Sequence, residues 1–186
     1  MMDAEDTDHV VDYINEGILQ ELREAYGQII PDAVRTAYGA MSYIKAATGN
    51  KFVVIIDEWD VLIRDEAQNH TLQEAYIDFL RGMFKGTEPS RYIALAYLTG
   101  ILPIKKLKTQ SALNNFEEFT MLDAGRMAPY VGFTEEEVHG LCEQYGCSYE
   151  QVKSWYDGYL LEDYQVYNPK AVVSVMLNGK YKSYWS

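Results

Sequence analysis

The sharpest change of pattern along the chain lies at Phe52–Asp60, where the apolar run Phe52-Val53-Val54-Ile55-Ile56 meets Asp57, Glu58 and Asp60. An unbroken run rich in β-branched residues, entered through the polar Gly49-Asn50-Lys51 turn, predicts a strand covered on both faces, as parallel strands of α/β proteins are. Ligands of such sheets collect beyond the carboxyl ends of the strands, so Asp57 and Glu58 are expected at a ligand edge. Helical periodicity precedes the strand. Val10, Val11, Ile14, Ile18, Leu19 and Leu22 recur at three- and four-residue steps and predict an amphipathic helix from Val10 to Tyr26, closed by Gly27. A second helix is expected after Pro31, through Ala33, Val34, Ala37, Met41, Ile44 and Ala47, stopping at Gly49.

Beyond the strand, Trp59 to Arg64 reads as a loop or short helix over the strand end. From Thr71 to Phe84 the residues Leu72, Ala75, Tyr76, Phe79, Leu80 and Met83 share one helical face, and Lys85-Gly86-Thr87-Glu88-Pro89 ends it. Tyr92 to Thr99 is a second apolar strand, stopped by Gly100. Strand, helix and strand make a right-handed crossover with parallel strands, which would bring Thr99 beside Asp57 and Glu58. Phe119-Thr120-Met121-Leu122 suggests a short third strand. The pattern then turns to small helices: Thr134-Glu135-Glu136-Glu137 is a capping box and Ser148-Tyr149-Glu150-Gln151 repeats its spacing. Asp157-Gly158 signals a tight turn, Tyr159–Leu161 and Gln165–Tyr167 are expected to pair as a hairpin, and Asn168-Pro169 starts a last helix through Leu177.

Composition narrows the function classes. The chain has 186 residues, 48% apolar, enough for a real core in one domain or one domain with a small appendage. No apolar segment approaches the ~20 residues of a membrane span, and the start, Met1-Met2-Asp3-Ala4-Glu5-Asp6, is acidic where a signal peptide would be basic, so a cytoplasmic location is expected. The formal charge of −12 opposes nucleic-acid binding by this chain alone. Lys105, Lys106 and Lys108 form a local basic spot that reads as solvated surface. Cys142 and Cys147 give no disulfide framework and read as inert thiols.

An aliphatic strand ending in Asp-Glu is the Walker B arrangement. Its aspartate, here Asp57, holds a magnesium ion, and its glutamate, here Glu58, orients or deprotonates the attacking water. Thr99, at the end of the neighbouring strand, fits a polar sensor of the γ-phosphate. The blander alternative makes Asp57 a loop starter or a cap for Trp59–Arg64. A phosphate cradle is missing from these residues: no Gly-Lys-Ser or Gly-Lys-Thr opens a helix, and Gly49-Asn50-Lys51-Phe52 opens a strand. A nucleotide would therefore face Asp57, Glu58 and Asp60 with nothing opposite them, and tight binding of ATP by this chain is not expected.

Ile55-Ile56-Asp57-Glu58-Trp59-Asp60, Leu98-Thr99-Gly100-Ile101-Leu102-Pro103-Ile104-Lys105-Lys106, Gln110-Ser111-Ala112-Leu113-Asn114-Asn115-Phe116, Val131-Gly132-Phe133-Thr134-Glu135-Glu136-Glu137-Val138, Trp155-Tyr156-Asp157-Gly158-Tyr159 and Val166-Tyr167-Asn168-Pro169 occur in this order. Together they resemble the AAA-ATPase-like family of bacterial proteins, over essentially Asp8 to Trp185. The resemblance implies an α/β fold: part of the parallel sheet of a three-layer P-loop NTPase core over residues 1–125, then a small helical lid-like region over 126–186. Full-length members have a Walker A motif near the N-terminus and often a restriction-endonuclease-like C-terminal domain, with ATP and magnesium as cofactors. Position by position, Asp57 matches the metal-holding residue, Glu58 the catalytic one and Thr99 the cofactor-touching end of the sensor strand. The implied reading is an incomplete ATPase module, inactive in isolation. The alternative is a nucleotide-independent interaction module that forms a dimer or a partner complex through apolar surface left by the missing half of the sheet.

Other constellations weigh less. Arg91 and Arg126 could reach a phosphate but read as surface arginines. His139, Cys142 and Cys147 lack a fourth partner for zinc. His9 and His70 read as surface residues near helix starts. The acidic triad Asp57, Glu58 and Asp60 could hold magnesium in a nuclease, without the catalytic lysine or basic track that chemistry needs. Tyr156, Tyr159, Tyr164, Tyr167, Tyr181 and Tyr184, with Trp155 and Trp185, suit the core of the lid better than a partner surface.

Overall fold

The computed structural model describes residues 9–103, 113–156 and 158–183. The basic spot at Lys105–Lys108, the motif residues 110–112, Asp157, the acidic N-terminus and the aromatic pair Tyr184-Trp185 lie outside the described residues. The chain divides into two compact units, residues 1–116 and 117–186.

In the first unit, helix α1 (Val10–Tyr26) and helix α2 (Ala37–Thr48) precede strand β1 (Phe52–Ile56). Helix α2 begins later than its apolar spacing suggests. Thr36 is extended and its side chain accepts from the Gly39 amide, so the cap, not Pro31, sets the start. Gly49 closes α2 at φ 79°, a left-handed C-cap. A short helix α3 (Val61–Asp65), the long α4 (His70–Phe84) capped by Asn69, and a single turn α5 (Pro89–Tyr92) lead to β2 (Ile93–Leu98). β1 and β2 pair in parallel, with Val54 opposite Ala96 and Ile56 opposite Leu98.

Burial along β1 alternates, which corrects the expectation of a strand covered on both faces. Val54 and Ile56 pack with Ile93, Ala96 and Leu98 against Trp59, Ile77, Leu80 and Phe84, and Phe52 packs with Leu19, Ala40 and Ile44. On the opposite face Val53, Ile55, Leu95 and Tyr97 are exposed, Ile55 at 70%. Within this unit the helices gather on one side, and its described residues leave the other side uncovered.

In the second unit the expected strand at Phe119–Leu122 does not form. Thr120 and Asp123 close a tight turn instead, the Thr120 hydroxyl accepting from the Leu122 and Asp123 amides, which competes with extended pairing. A 3-10 turn (Gly125–Tyr130) leads to β3 (Phe133–Thr134), α6 (Glu135–Tyr145), α7 (Tyr149–Tyr156), β4 (Tyr159–Leu161), β5 (Tyr164–Tyr167) and α8 (Pro169–Asn178). The hairpin forms as its pattern predicts, but β3 joins β5 as well, so the region is a three-stranded antiparallel sheet with helices and not helices alone. Thr134 and Glu137 complete the capping box, and Asn168 caps α8 through the Ala171 amide. Val138, Cys142, Val152, Tyr167, Val172 and Val175 form this unit's core. Among the described residues no helix is long and apolar enough to cross a membrane.

The one-sided sheet predicts unequal sensitivity. Leu80, fully buried under the sheet, should cost about 2–5 kcal/mol on truncation to alanine. Ile55→Thr, on the open face, should change the stability of the isolated chain by no more than about 0.5 kcal/mol. Urea unfolding of the two variants checks this, and a loss at Ile55 equal to that at Leu80 would contradict the open face.

Candidate functional site

Parallel pairing ends β1 and β2 side by side, and the residues just past each end meet. The Thr99 hydroxyl donates to Asp57 Oδ1. The Glu58 amide faces the same pair, 3.1 Å from Asp57 Oδ1 and 3.3 Å from Thr99 Oγ1. Backbone bonds lock the two ends together: the Thr99 amide donates to the Ile56 carbonyl and the Trp59 amide to the Thr99 carbonyl, each at 2.9 Å. Asp57, Glu58 and Thr99, named from sequence, are thus neighbours in space.

Glu58 occupies an unusual backbone state. Its φ of +50° lies in the left-handed region that disfavours any residue with a Cβ. Such strain persists where the surroundings impose it, and here the two strand ends fix the amide on either side. The turn aims the side chain outward: the Glu58 side chain is 69% exposed, with Arg64 Nη2 at 3.8 Å from Oε2.

Asp60 corrects the idea of a ligand-facing acidic triad. It is fully buried. Its Oδ2 accepts from the Ile101 and Leu102 amides at 3.1 and 2.7 Å and lies 3.1 Å from Arg64 Nε. Trp59, 3% exposed, packs into the core beneath, and its carbonyl accepts from the Tyr76 hydroxyl at 2.8 Å. Burial, reinforced by the Asp60 charge, pushes the Tyr76 phenol up to about 12. Gly100 is there because nothing larger fits: a Cβ would stand 2.6 Å from Asp60 Oδ1 and 2.7 Å from the Trp59 ring. Sequence reading passed over Arg64 and misplaced Asp60; their spacing of four on a helix was the available signal.

Magnesium tests the donor set. Among the described residues no three His, Cys, Asp or Glu side chains are grouped to hold a metal ion. Asp57 and the Thr99 hydroxyl nevertheless suit magnesium, which keeps most of its waters and takes one or two carboxylates, the remaining ligands coming from substrate phosphates. Among the described residues the cation at this cluster is Arg64, which is committed to acidic partners. A depression of about 680 Å³ lined by Asp12, Asn15, Glu16 and Arg35 lies elsewhere in this unit and takes in none of the three site residues.

The lesser candidates resolve into local contacts. Arg91 pairs with Glu88, and Arg126 pairs with Glu117 and lies over the Phe119 ring. His139 stacks on Tyr149, with ring centroids 3.6 Å apart. Cys142 is buried, which raises its thiol pKa, with nearby Cys147 adding to the shift. Tyr167 is fully buried, Tyr156 and Tyr181 pack against the same core, and Trp155, Tyr159 and Tyr164 are exposed.

The strained turn makes a prediction. Left-handed geometry costs a non-glycine residue about 1–2 kcal/mol, while glycine adds about 0.5–1 kcal/mol of unfolded-state entropy. Glu58→Gly should therefore leave the melting temperature unchanged or raised, and Glu58→Val should lower it. A large loss of stability in Glu58→Gly, measured by calorimetry, would show that the carboxylate serves structure.

Comparison with known proteins gives a family but no further residue roles. A relative, described as an uncharacterized protein in the vnfD 5′ region of Azotobacter chroococcum mcd 1, is 26% identical over 169 residues, which is 89% of this chain and 30% of that protein. No solved structure matches the chain significantly. The family profile described as Predicted AAA-ATPase matches residues 2–109, more than half of the sequence and the whole of the β1–β2 site, and the chain belongs to this AAA-ATPase-like family.

Proposed function

We propose that the ends of β1 and β2 form the Walker B and sensor half of an ATP–magnesium site, and that the phosphate cradle comes from polypeptide outside these 186 residues. The observation that carries this reading is the contact between Thr99 and Asp57 across adjacent parallel strands, with Glu58 projecting beside it. In this reading Asp57 holds the hydrated magnesium ion, which offsets the charge of the phosphates. Glu58, exposed and unencumbered by the core, orients or deprotonates the attacking water. Thr99 keeps Asp57 in place through its hydroxyl and presents its oxygen to the same edge. The chain spans 30% of its relative's length, so a larger protein around this half-site is part of the proposal.

A second reading has its own support. The exposed face of Val53, Ile55, Leu95 and Tyr97 is apolar and continuous across both strands, as expected of a surface that packs on another layer. On this reading the chain is an interaction module that dimerises or docks on a protein partner without nucleotide; a monodisperse monomer by light scattering counts against the dimer.

The isolated chain should neither bind ATP tightly nor hydrolyse it, whereas the same chain joined to a segment bearing Gly-Lys-Ser or Gly-Lys-Thr at a helix start should do both. In that longer protein Glu58→Gln should reduce turnover by about 10²–10⁴-fold with ATP still bound. Asp57→Asn should raise the magnesium concentration needed for turnover. Unchanged turnover in both variants would sink the assignment.

A further inference from the structure

We propose that Asp60 is the positioning residue of this site, holding Thr99 from one side and Glu58 from the other. The inference rests on the reading of Asp57, Glu58 and Thr99 as the ligand-facing groups. A fully buried carboxylate is costly unless its oxygens are satisfied, and replacing a buried ion pair by apolar residues is often neutral or stabilising. Asp60 is at 0% exposure, yet only Oδ2 is satisfied; Oδ1 has no hydrogen-bond partner among the described residues. Stability alone gives little reason for such a group. Its contacts supply another.

One arm runs through backbone. Oδ2 accepts from both the Ile101 and Leu102 amides, so the turn that follows Thr99 is tied to the turn that follows Asp57. Gly100 lets the carboxylate reach that turn, since a Cβ would collide with Oδ1. Thr99 is thereby held where its hydroxyl meets Asp57. The other arm runs through Arg64. The guanidinium lies 3.1 Å from Asp60 Oδ2 through Nε, a charge contact without hydrogen-bond alignment, and reaches Glu58 Oε2 at 3.8 Å through Nη2. Asp60 fixes the base of the arginine, and the arginine sets the reach of the Glu58 carboxylate. Asp60 itself touches no ligand.

Amide hydrogen exchange by NMR on the 186-residue chain tests this without nucleotide. Asp60→Asn, which keeps the size and removes the charge, should speed exchange at Glu58, Trp59, Ile101 and Leu102 at least tenfold relative to Leu80, and should shift the Glu58 carboxyl carbon signal. Arg64→Gln should shift that carbon signal while leaving exchange at Ile101 and Leu102 unchanged. If Asp60→Asn does not fold, Gly100→Ala, which crowds Asp60 Oδ1 and the Trp59 ring alike, should speed exchange at Ile101 and Leu102, the two amides that Asp60 Oδ2 holds. Exchange at all four positions moving in step with Leu80 overturns the proposal, as does a Glu58 carboxyl signal indifferent to Arg64→Gln. Failure of the longer protein to hydrolyse ATP would remove the proposed function and leave this exchange pattern intact, so the two failures are distinguishable.

Discussion

Parallel pairing of Phe52–Ile56 with Ile93–Leu98 is the constraint on which the rest depends. Because parallel neighbours run in the same direction, their carboxyl ends finish together, and residues far apart in sequence become adjacent there. Asp57 and Thr99 meet for that reason. The long helix between them makes the crossover possible and covers one face of the pair with Tyr76, Ile77, Leu80 and Phe84. Everything polar at the strand ends is then arranged by the loops that must turn within this limited space: the left-handed Glu58, the buried Asp60, and a glycine where two loops touch.

The sheet is unusual in being thin. Two strands with helices on one side expose an apolar face that interior strands of α/β proteins do not normally show. The hydrophobic run of β1 and the one-sided burial of β1 are therefore in tension, and that tension is itself informative. The sequence of β1 is patterned for coverage on both faces, whereas the described residues of its unit cover one.

Much of this was legible in the sequence because the signals were local. The helices at Val10–Tyr26 and His70–Phe84 follow from apolar spacing, the Thr134 capping box and the Asn168-Pro169 start from short-range hydrogen-bond chemistry, and the hairpin from its strand–turn–strand pattern. The Asp57–Thr99 contact followed from topology, since a crossover unit brings strand ends together. What was missed depends on three-dimensional burial. Asp60 sits one residue beyond Asp57-Glu58-Trp59 and reads as a third exposed acid, but the helical turn at Val61 rotates it inward, where amides from a distant loop satisfy its Oδ2. β3 is only two residues long and carries no periodic signal, and the turn at Thr120 won over a strand through side-chain hydrogen bonds.

Paramagnetic broadening of NMR signals by manganese, a stand-in for magnesium, tests the central claim most directly. The account predicts that manganese added to the chain broadens the signals of Asp57, Glu58, Thr99 and Gly100 first, and that Asp57→Asn abolishes this pattern. Broadening centred on another acidic surface, such as Glu135–Glu137, with the strand ends unaffected, would contradict it.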